Sequence, residues 1–219
     1  MNRIPVDRIP KLPDAFFPYA ANAVLYDSSC SRDASVWFSE ADGGIYIKTA
    51  PAGTLKTEAD MNTFFHSKHM GPEVLSYLSL EEDWMVTRAV PGEDCIHPQY
   101  LADPNRLSET LGTLLRMLHS TDCTGCPITL PHPEEEEAVL IHGDYCLPNV
   151  LLDNWQFSGF IDLGGGGIGD RHTDLYWGCW SLLYNLKEDK WCSRFLDAYG
   201  RQDVNIEKLR HIHALEFGE

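Results

Sequence analysis

Between His142 and Asp174 the chain reads HGDYCLPNVLLDNWQFSGFIDLGGGGIGDRHTD, and the residue types and spacing of Asp144, Asn149 and Asp162 within it could carry chemistry. The apolar run Ala138 to Ile141 stops at His142-Gly143-Asp144, which delivers an Asp side chain at the end of a buried strand through a tight Gly-containing turn. Asn149 follows, then two apolar segments, Val150 to Leu152 and Phe157 to Ile161, joined by the turn Asp153-Asn154, which is the pattern of a hairpin. A hairpin folds the chain back, so Asp162 at its end is expected to return close to Asp144 and Asn149. An Asp, an Asn and a second Asp converging in this way suit Mg²⁺-assisted phosphoryl transfer. One carboxylate takes the proton of an acceptor hydroxyl, and two oxygen ligands hold hard cations that bridge the phosphates. The bland alternative is a surface hairpin between acidic turns.

A rival lies in the same stretch. Gly164, Gly166 and Gly169 spell G-x-G-x-x-G after a strand and before a helix, as a dinucleotide fingerprint would. That unit requires a second parallel strand with an acidic end about 20 residues on, whereas Lys187 to Tyr199 is charged and helical in pattern. The glycines are expected to form a mobile loop after Asp162 instead.

The elements that must position these groups fall into two sets. Residues 1 to 22 carry Pro5, Pro10, Pro13 and Pro18 and read as an irregular lead-in lying against the body through Phe16, Phe17 and Tyr19. Strands are expected at Ala23 to Tyr26, Ala34 to Phe38, Gly44 to Thr49, Val74 to Leu80 and Trp84 to Val90, the last two joined by the acidic turn Glu81-Glu82-Asp83. In Gly44 to Thr49, Ile45, Ile47 and Thr49 share one face while Tyr46 and Lys48 share the other. A helix from about Leu55 to Lys68 places Glu58 with Met61 and Phe65 on its apolar face. An inward Glu is costly unless paired, and Lys48 is its natural partner. Pro91-Gly92 ends this part. Beyond it, Leu107, Leu111, Leu114, Leu115 and Leu118 mark an amphipathic helix ending at His119-Ser120. Leu175, Cys179, Leu182, Leu183 and Leu186 repeat the pattern, and further helices are expected around Trp191 to Tyr199 and Ile206 to Phe217. Asp170, Arg171 and Asp174 sit where acids favour a helix start and read as a cap and brace.

Composition narrows the function classes. A chain of 219 residues with 43% hydrophobic side chains can build one large or two small domains with a proper core. No apolar run approaches the roughly 18 residues of a membrane helix, and the proline-containing N-terminus is not a signal peptide, so a cytoplasmic protein is expected. Seven scattered cysteines fit reduced thiols better than a disulfide framework. Cys123-x-x-Cys126 lacks the second pair that a zinc site needs, and His211-x-His213 reads as a solvated helix position. The net charge of −16 argues against nucleic acid and anionic membranes as partners. It suits a cationic partner, whose local concentration a negative cleft would raise.

The pieces His142-Gly-Asp-x-x-x-Pro-Asn149, Gly159-Phe-Ile-Asp162-Leu-Gly164 and Asp170-Arg-x-x-Asp174 together resemble the aminoglycoside 3′-phosphotransferases, within the wider protein-kinase-like small-molecule kinases. The resemblance implies an α+β, bilobal protein-kinase-like fold. Residues 1–91 would form an N-terminal nucleotide-binding lobe with a five-stranded antiparallel sheet and one helix, and residues 92–219 a mainly helical catalytic lobe. It implies ATP and Mg²⁺ as cofactors, Asp144 as catalytic base, and Asn149 and Asp162 as magnesium ligands. Lys48 and Glu58 would form the ion pair that holds the lysine on the nucleotide phosphates. The loop Ser28 to Asp33 would cover those phosphates, with Ser29 and Ser31 as contacts, and backbone groups of Arg88 and Val90 at the inter-lobe hinge would meet the adenine edge. Glu216 and Phe217 match the family's acidic-aromatic C-terminus and would line the acceptor site.

One departure stands out. Only fourteen residues separate Pro127 from His142, where the family inserts a helical segment that walls the antibiotic site, and Leu147 and Trp180 replace polar groups near the acceptor. Glu134 to Glu137 could supply part of that wall, although successive like charges favour a solvated turn. The expected activity is ATP-dependent phosphorylation of a hydroxyl on a small cationic acceptor, with aminoglycosides the leading class, weakly bound for want of that wall. The competing readings are a catalytically idle nucleotide-binding protein, or a kinase of an amino alcohol or sugar.

Overall fold

Strand alternation organises the N-terminal part of the chain. The computed structural model describes residues 4–30, 33–131 and 138–218, and Met1–Val90 and Pro91–Glu219 form two compact units. In the first unit β1 (Ile4–Val6), β2 (Leu25–Asp27), β3 (Ser35–Ser39), β4 (Ile45–Pro51), β5 (Val74–Ser79) and β6 (Glu82–Arg88) make one antiparallel sheet in the order β1-β2-β3-β4-β6-β5. A short helix, α1 (Phe17–Ala20), precedes β2, and α2 (Lys56–Ser67) follows β4. The sheet therefore has six strands, not five. The extra one lies in the supposedly irregular lead-in, where Pro5 is tolerated because β1 is an edge strand that leaves one side of its backbone unpaired.

The two faces of this sheet are filled differently. On one, Ile45, Ile47, Trp84 and Val86 pack with Trp37, Leu25, Phe16 and Ile9, and each such burial contributes roughly 1.5–3 kcal/mol. Phe16 is fully buried, edge-on to Trp84; Phe17, expected beside it, is half-exposed. On the other face Ala50 and Met85 pack with Leu55 and Ala59 of α2. Asp83 also departs from expectation. It is fully buried rather than part of an acidic turn, and it accepts from Leu55 N–H at 2.9 Å and Ser79 Oγ at 2.7 Å. It thus ties the sheet to the start of α2. Burial pushes its carboxyl pKa up, but the hydrogen bonds from Ser79, Gly53, Leu55 and Tyr77 outweigh that and hold it below the usual range.

The second unit contains β7 (Glu93–Asp94), α3 (Pro98–Leu101), α4 (Pro104–His119), β8 (Ala138–Ile141), β9 (Val150–Asp153), β10 (Gln156–Phe160), β11 (Gly167–Asp170), α5 (Arg171–Leu186), α6 (Lys190–Tyr199) and α7 (Ile206–Phe217). The expected hairpin is β9 and β10, with β7 completing a three-stranded sheet ordered β10-β9-β7. Gly92, at φ 94°, lets the chain enter β7 against the backbone of Leu152, where any Cβ would collide. The glycine run is only partly a loop, because Gly167–Asp170 is a strand paired antiparallel with β8. Gly169 opposes Val139 there, and a side chain at Gly169 would strike Ile141 and Leu130. Ile128 to Leu130 run along the other edge of β11, with Ile168 N–H donating to Ile128 and Leu130 N–H to Ile168, both at 2.9 Å.

Helices α4 and α5 follow the leucine patterns, with Leu107, Leu111, Leu115, Leu118, Leu175 and Leu182 all buried. Leu183 departs from its stripe and is 43% exposed. Cys179 and Cys192 form a disulfide between α5 and α6, correcting the expectation of thiols throughout; Cys30, Cys95, Cys123, Cys126 and Cys146 are not disulfide-bonded. No helix among the described residues is long and apolar enough to cross a membrane.

Candidate active site

In the first unit the face of β4 that carries Lys48 turns toward α2. Lys48 Nζ donates to both oxygens of Glu58, at 2.9 and 2.8 Å, with the two side chains 17% and 10% exposed. Alternation along β4 and the inward face of α2 are sufficient to create this pair. Lys48 also lines a hollow of about 710 Å³ with Asp33, Ser35, Thr54 and Glu82. Ser29 does not offer its hydroxyl as expected. Its Oγ accepts from Val36 N–H at 3.0 Å and lies 3.4 Å from the Val36 carbonyl, closing the base of the loop, while its N–H donates to Asp27 at 2.8 Å. Ser31 lies outside the described residues, as do Glu134 to Glu137. The Arg88 N–H donates to the Glu73 carbonyl at 2.9 Å, and its guanidinium meets Glu73 and Asp42. Of the two expected adenine contacts, only Val90 lies past the end of the ladder.

In the second unit β8 ends at buried Ile141, buried His142 follows, and the chain turns at Gly143 with φ 84°. A Cβ there would overlap the backbone of Gly165, so the loop bearing Asp144 and the loop after Asp162 touch through two glycines. Asp144 is exposed and Asn149 is buried. The Asn149 amide donates to the Asp144 carboxylate at 2.9 Å and to the Asp144 carbonyl at 3.0 Å. Its NH₂ is therefore spent on Asp144, which leaves the amide oxygen as the atom it can give a cation. Asp162 is also exposed and sits in the left-handed region at φ 58°, ψ 53°. It directly follows Ile161, whose N–H donates to the Asn149 carbonyl at 3.0 Å. The hairpin thus brings the three residues together. One carboxylate plus one amide oxygen is a donor set that fits Mg²⁺, which is held through one or two carboxylates and takes its remaining ligands from phosphate and water.

A carboxylate on α5 supports this loop. Asp174, fully buried, accepts from His142 N–H at 2.7 Å and Gly143 N–H at 2.8 Å. Asp170 caps α5 by accepting from His172 N–H at 2.9 Å. The brace expected of these two acids is present. Ser181 on the same helix accepts from Leu147 N–H at 3.0 Å. His142 Nδ1 accepts from Asp144 N–H at 3.3 Å, which leaves its buried Nε2 without a hydrogen-bond partner among the rings of Tyr145 and Phe160.

Glu216 and Phe217 lie on α7, whose His213 meets Tyr176 of α5 at 3.0 Å. Leu147 is buried, so it belongs to the core rather than to an acceptor surface. Trp180 stacks on Tyr184, with centroids 5.2 Å apart, and meets Trp177 edge-on. Phe217 is half-exposed and tilts over His213, and Glu216 is exposed. Cys123 and Cys126 make a turn whose thiols point at the Thr121 and Ile128 carbonyls, and no cluster of His, Cys, Asp and Glu among the described residues could hold a metal alone. Sequence reading missed Ser181, and it missed His119, which lies on the leucine stripe of α4 four residues after Leu115. A lone polar residue on an apolar stripe was the available signal.

Comparison with known proteins points the same way. A profile for a phosphotransferase enzyme family matches residues 126–212. The chain is 37% identical to the "Probable aminoglycoside 3′-phosphotransferase" of Lactococcus lactis subsp. lactis (strain IL1403), covering 95% of each chain. It is 26% identical to an aminoglycoside 3′-phosphotransferase of Niallia circulans, covering 78% of this chain and 82% of that one. Among solved structures, an aminoglycoside 3′-phosphotransferase of type VIII superposes with a TM-score of 0.67 at 27% identity, over 83% of this chain and 88% of that one.

Proposed function

This chain belongs to the aminoglycoside 3′-phosphotransferase family, and from that premise we propose that it transfers the γ-phosphate of ATP to a hydroxyl of an aminoglycoside, with Asp144 as the base. The observation that carries this reading is the exposed Asp144 carboxylate, held by a buried Asn149 at 2.9 Å on a loop whose backbone is fixed by Asp174. A general base must be solvent-accessible to the acceptor yet rigidly aimed, and this arrangement meets both needs.

The residues divide the work. Asp144 orients the acceptor hydroxyl and takes its proton as the new O–P bond forms. The Asn149 amide oxygen and Asp162 are the ligands we assign to Mg²⁺, which when bound neutralises charge on the β and γ phosphates. Lys48, fixed by Glu58, binds the α and β phosphates. Ser29 and Ser31 belong to the phosphate-covering loop, where Ser29 acts through its place at the loop's base, and Val90 with Arg88 marks the segment that meets adenine. The first unit would then be the nucleotide-binding lobe and the second the catalytic lobe. A cytoplasmic site of action fits ATP as the donor.

The acceptor is small and cationic in this reading, with Glu216 and Phe217 at its edge. Residues 128 to 130 are tied along β11, so the short connection leaves little chain to wall the acceptor. Each charge-assisted contact contributes roughly 1.5–3 kcal/mol, and the loss of several should raise KM rather than remove turnover. The test is ATP turnover against a panel of aminoglycosides, amino alcohols and sugars. Aminoglycosides should be phosphorylated, with a high KM; turnover confined to amino alcohols or sugars would overturn the acceptor class, and none at all would overturn the reading.

A further inference from the structure

We infer that His119 and Tyr199 are positioning residues for the phosphoryl-transfer loop, acting through Asp174. The inference rests on the reading of Asp144 as base. Three helices converge on one carboxylate: His119 is the last residue of α4, Tyr199 the last of α6, and Asp174 lies in the first turn of α5. His119 Nε2 is 3.2 Å from Asp174 Oδ2, and His119 Nδ1 is 2.9 Å from the Tyr199 hydroxyl. All three side chains are buried.

The direction of each hydrogen bond follows from donor counting. Asp174 Oδ2 already accepts from His142 N–H, so the imidazole must donate to it from Nε2. Burial pushes the His119 pKa down, against the pull of Asp174, so the ring is neutral and its Nδ1 is an acceptor. Burial pushes the Tyr199 pKa up, so the phenol keeps its proton and donates it to Nδ1. The donors converge on Asp174 from both sides: Tyr199 O–H donates to His119 Nδ1 and His119 Nε2–H to Asp174, while the N–H groups of His142 and Gly143 donate to the same carboxylate. Arg116 holds the far end, with Nε donating to the Tyr199 carbonyl at 2.6 Å, its guanidinium 3.9 Å over the Tyr199 ring and an ion pair to Asp203 at 2.7 Å. A carboxylate that accepts only two backbone N–H groups could rock about its χ angles. The third donor fixes its plane, and with it the backbone one residue before Asp144.

The test uses the full-length protein. Tyr199→Phe removes one hydroxyl and leaves Nδ1 buried without a donor. A lost or unsatisfied hydrogen bond of this kind corresponds to about tenfold, and kcat should fall by about that factor with KM for ATP and acceptor little changed. His119→Phe should do the same, and His119→Gln, whose amide N–H can reach Asp174, should recover most of the loss. Two readouts need no turnover. Nitrogen-15 NMR should find His119 in the Nε2–H tautomer. Hydrogen exchange at the His142 and Gly143 amides should quicken about tenfold in Tyr199→Phe, with the amides of β9 and β10 unchanged. An Nδ1–H tautomer, or unchanged exchange and kcat in Tyr199→Phe, would overturn the inference, as would a kcat that falls only in proportion to the folded fraction. If His119→Phe fails to fold, Tyr199→Phe, which keeps the ring, still decides. A parent protein that phosphorylates no aminoglycoside overturns the proposed function instead, and amide exchange then judges the arrangement by itself.

Discussion

Asp162 and Gly143 show how single positions are committed to the site. Asp162 contributes the one carboxylate we assign to the magnesium ion, so Asp162→Ala should abolish the Mg²⁺ dependence of ATP binding. Calorimetry with and without Mg²⁺ measures this, and equal dependence in variant and parent would reduce Asp162 to a hairpin end. Gly143 combines φ 84° with backbone contact to Gly165. Gly143→Ala should cost about 1–3 kcal/mol in strain, lowering both the melting temperature and kcat; a variant at parental stability would show that the two loops are not held together. The convergence of Asp144, Asn149 and Asp162 was legible in the sequence, because hairpin spacing forces their return. Ser29 was legible only as a type. Its choice between a ligand and the Val36 backbone is settled by a turn geometry that spacing does not encode.

At the scale of elements, α5 is the piece on which the loop depends. Its N-cap Asp170 accepts from His172 N–H and Nδ1 and lies 3.2 Å from Lys208 of α7. Burial raises the Asp170 pKa, but the contacts from His172 and Lys208 outweigh that and hold it well below the carboxylate range. A carboxyl whose folded pKa is depressed contributes stability above its unfolded value of about 3.9 and loses it as pH falls through the folded value. The melting temperature should therefore drop as pH falls below about 4. Asp170→Ala should lower the neutral-pH stability by about 0.5–2 kcal/mol and flatten the acid slope. An unchanged slope would contradict this. Helices α4 and α5 were legible from leucine spacing, and β8 to β10 from apolar runs, whereas the one-turn helices α1 and α3 were not. The sixth strand β1, the strand β11 made partly of glycine and the buried Asp83 were not, since each exists only because a neighbouring strand or helix end supplies its hydrogen-bond partners.

For the whole molecule, the net charge of −16 should draw polycationic acceptors. Between about 0.1 and 1 M salt the screening length falls from about 10 to 3 Å, so KM for a polycationic aminoglycoside should rise while kcat holds. A KM indifferent to salt would mean that charge serves solubility alone. The composition announced this electrostatic character, while the disulfide Cys179–Cys192 needed α5 and α6 to be packed before it could be seen. The most direct test of the central claim compares the parent protein with Asp144→Asn, measuring phosphate transfer to a kanamycin-type aminoglycoside beside ATP affinity. A positioned general base contributes about 10² to 10⁴ in rate, so transfer should fall by that factor with ATP affinity nearly unchanged. More than a third of parental activity in Asp144→Asn would contradict the assignment of Asp144 as the base.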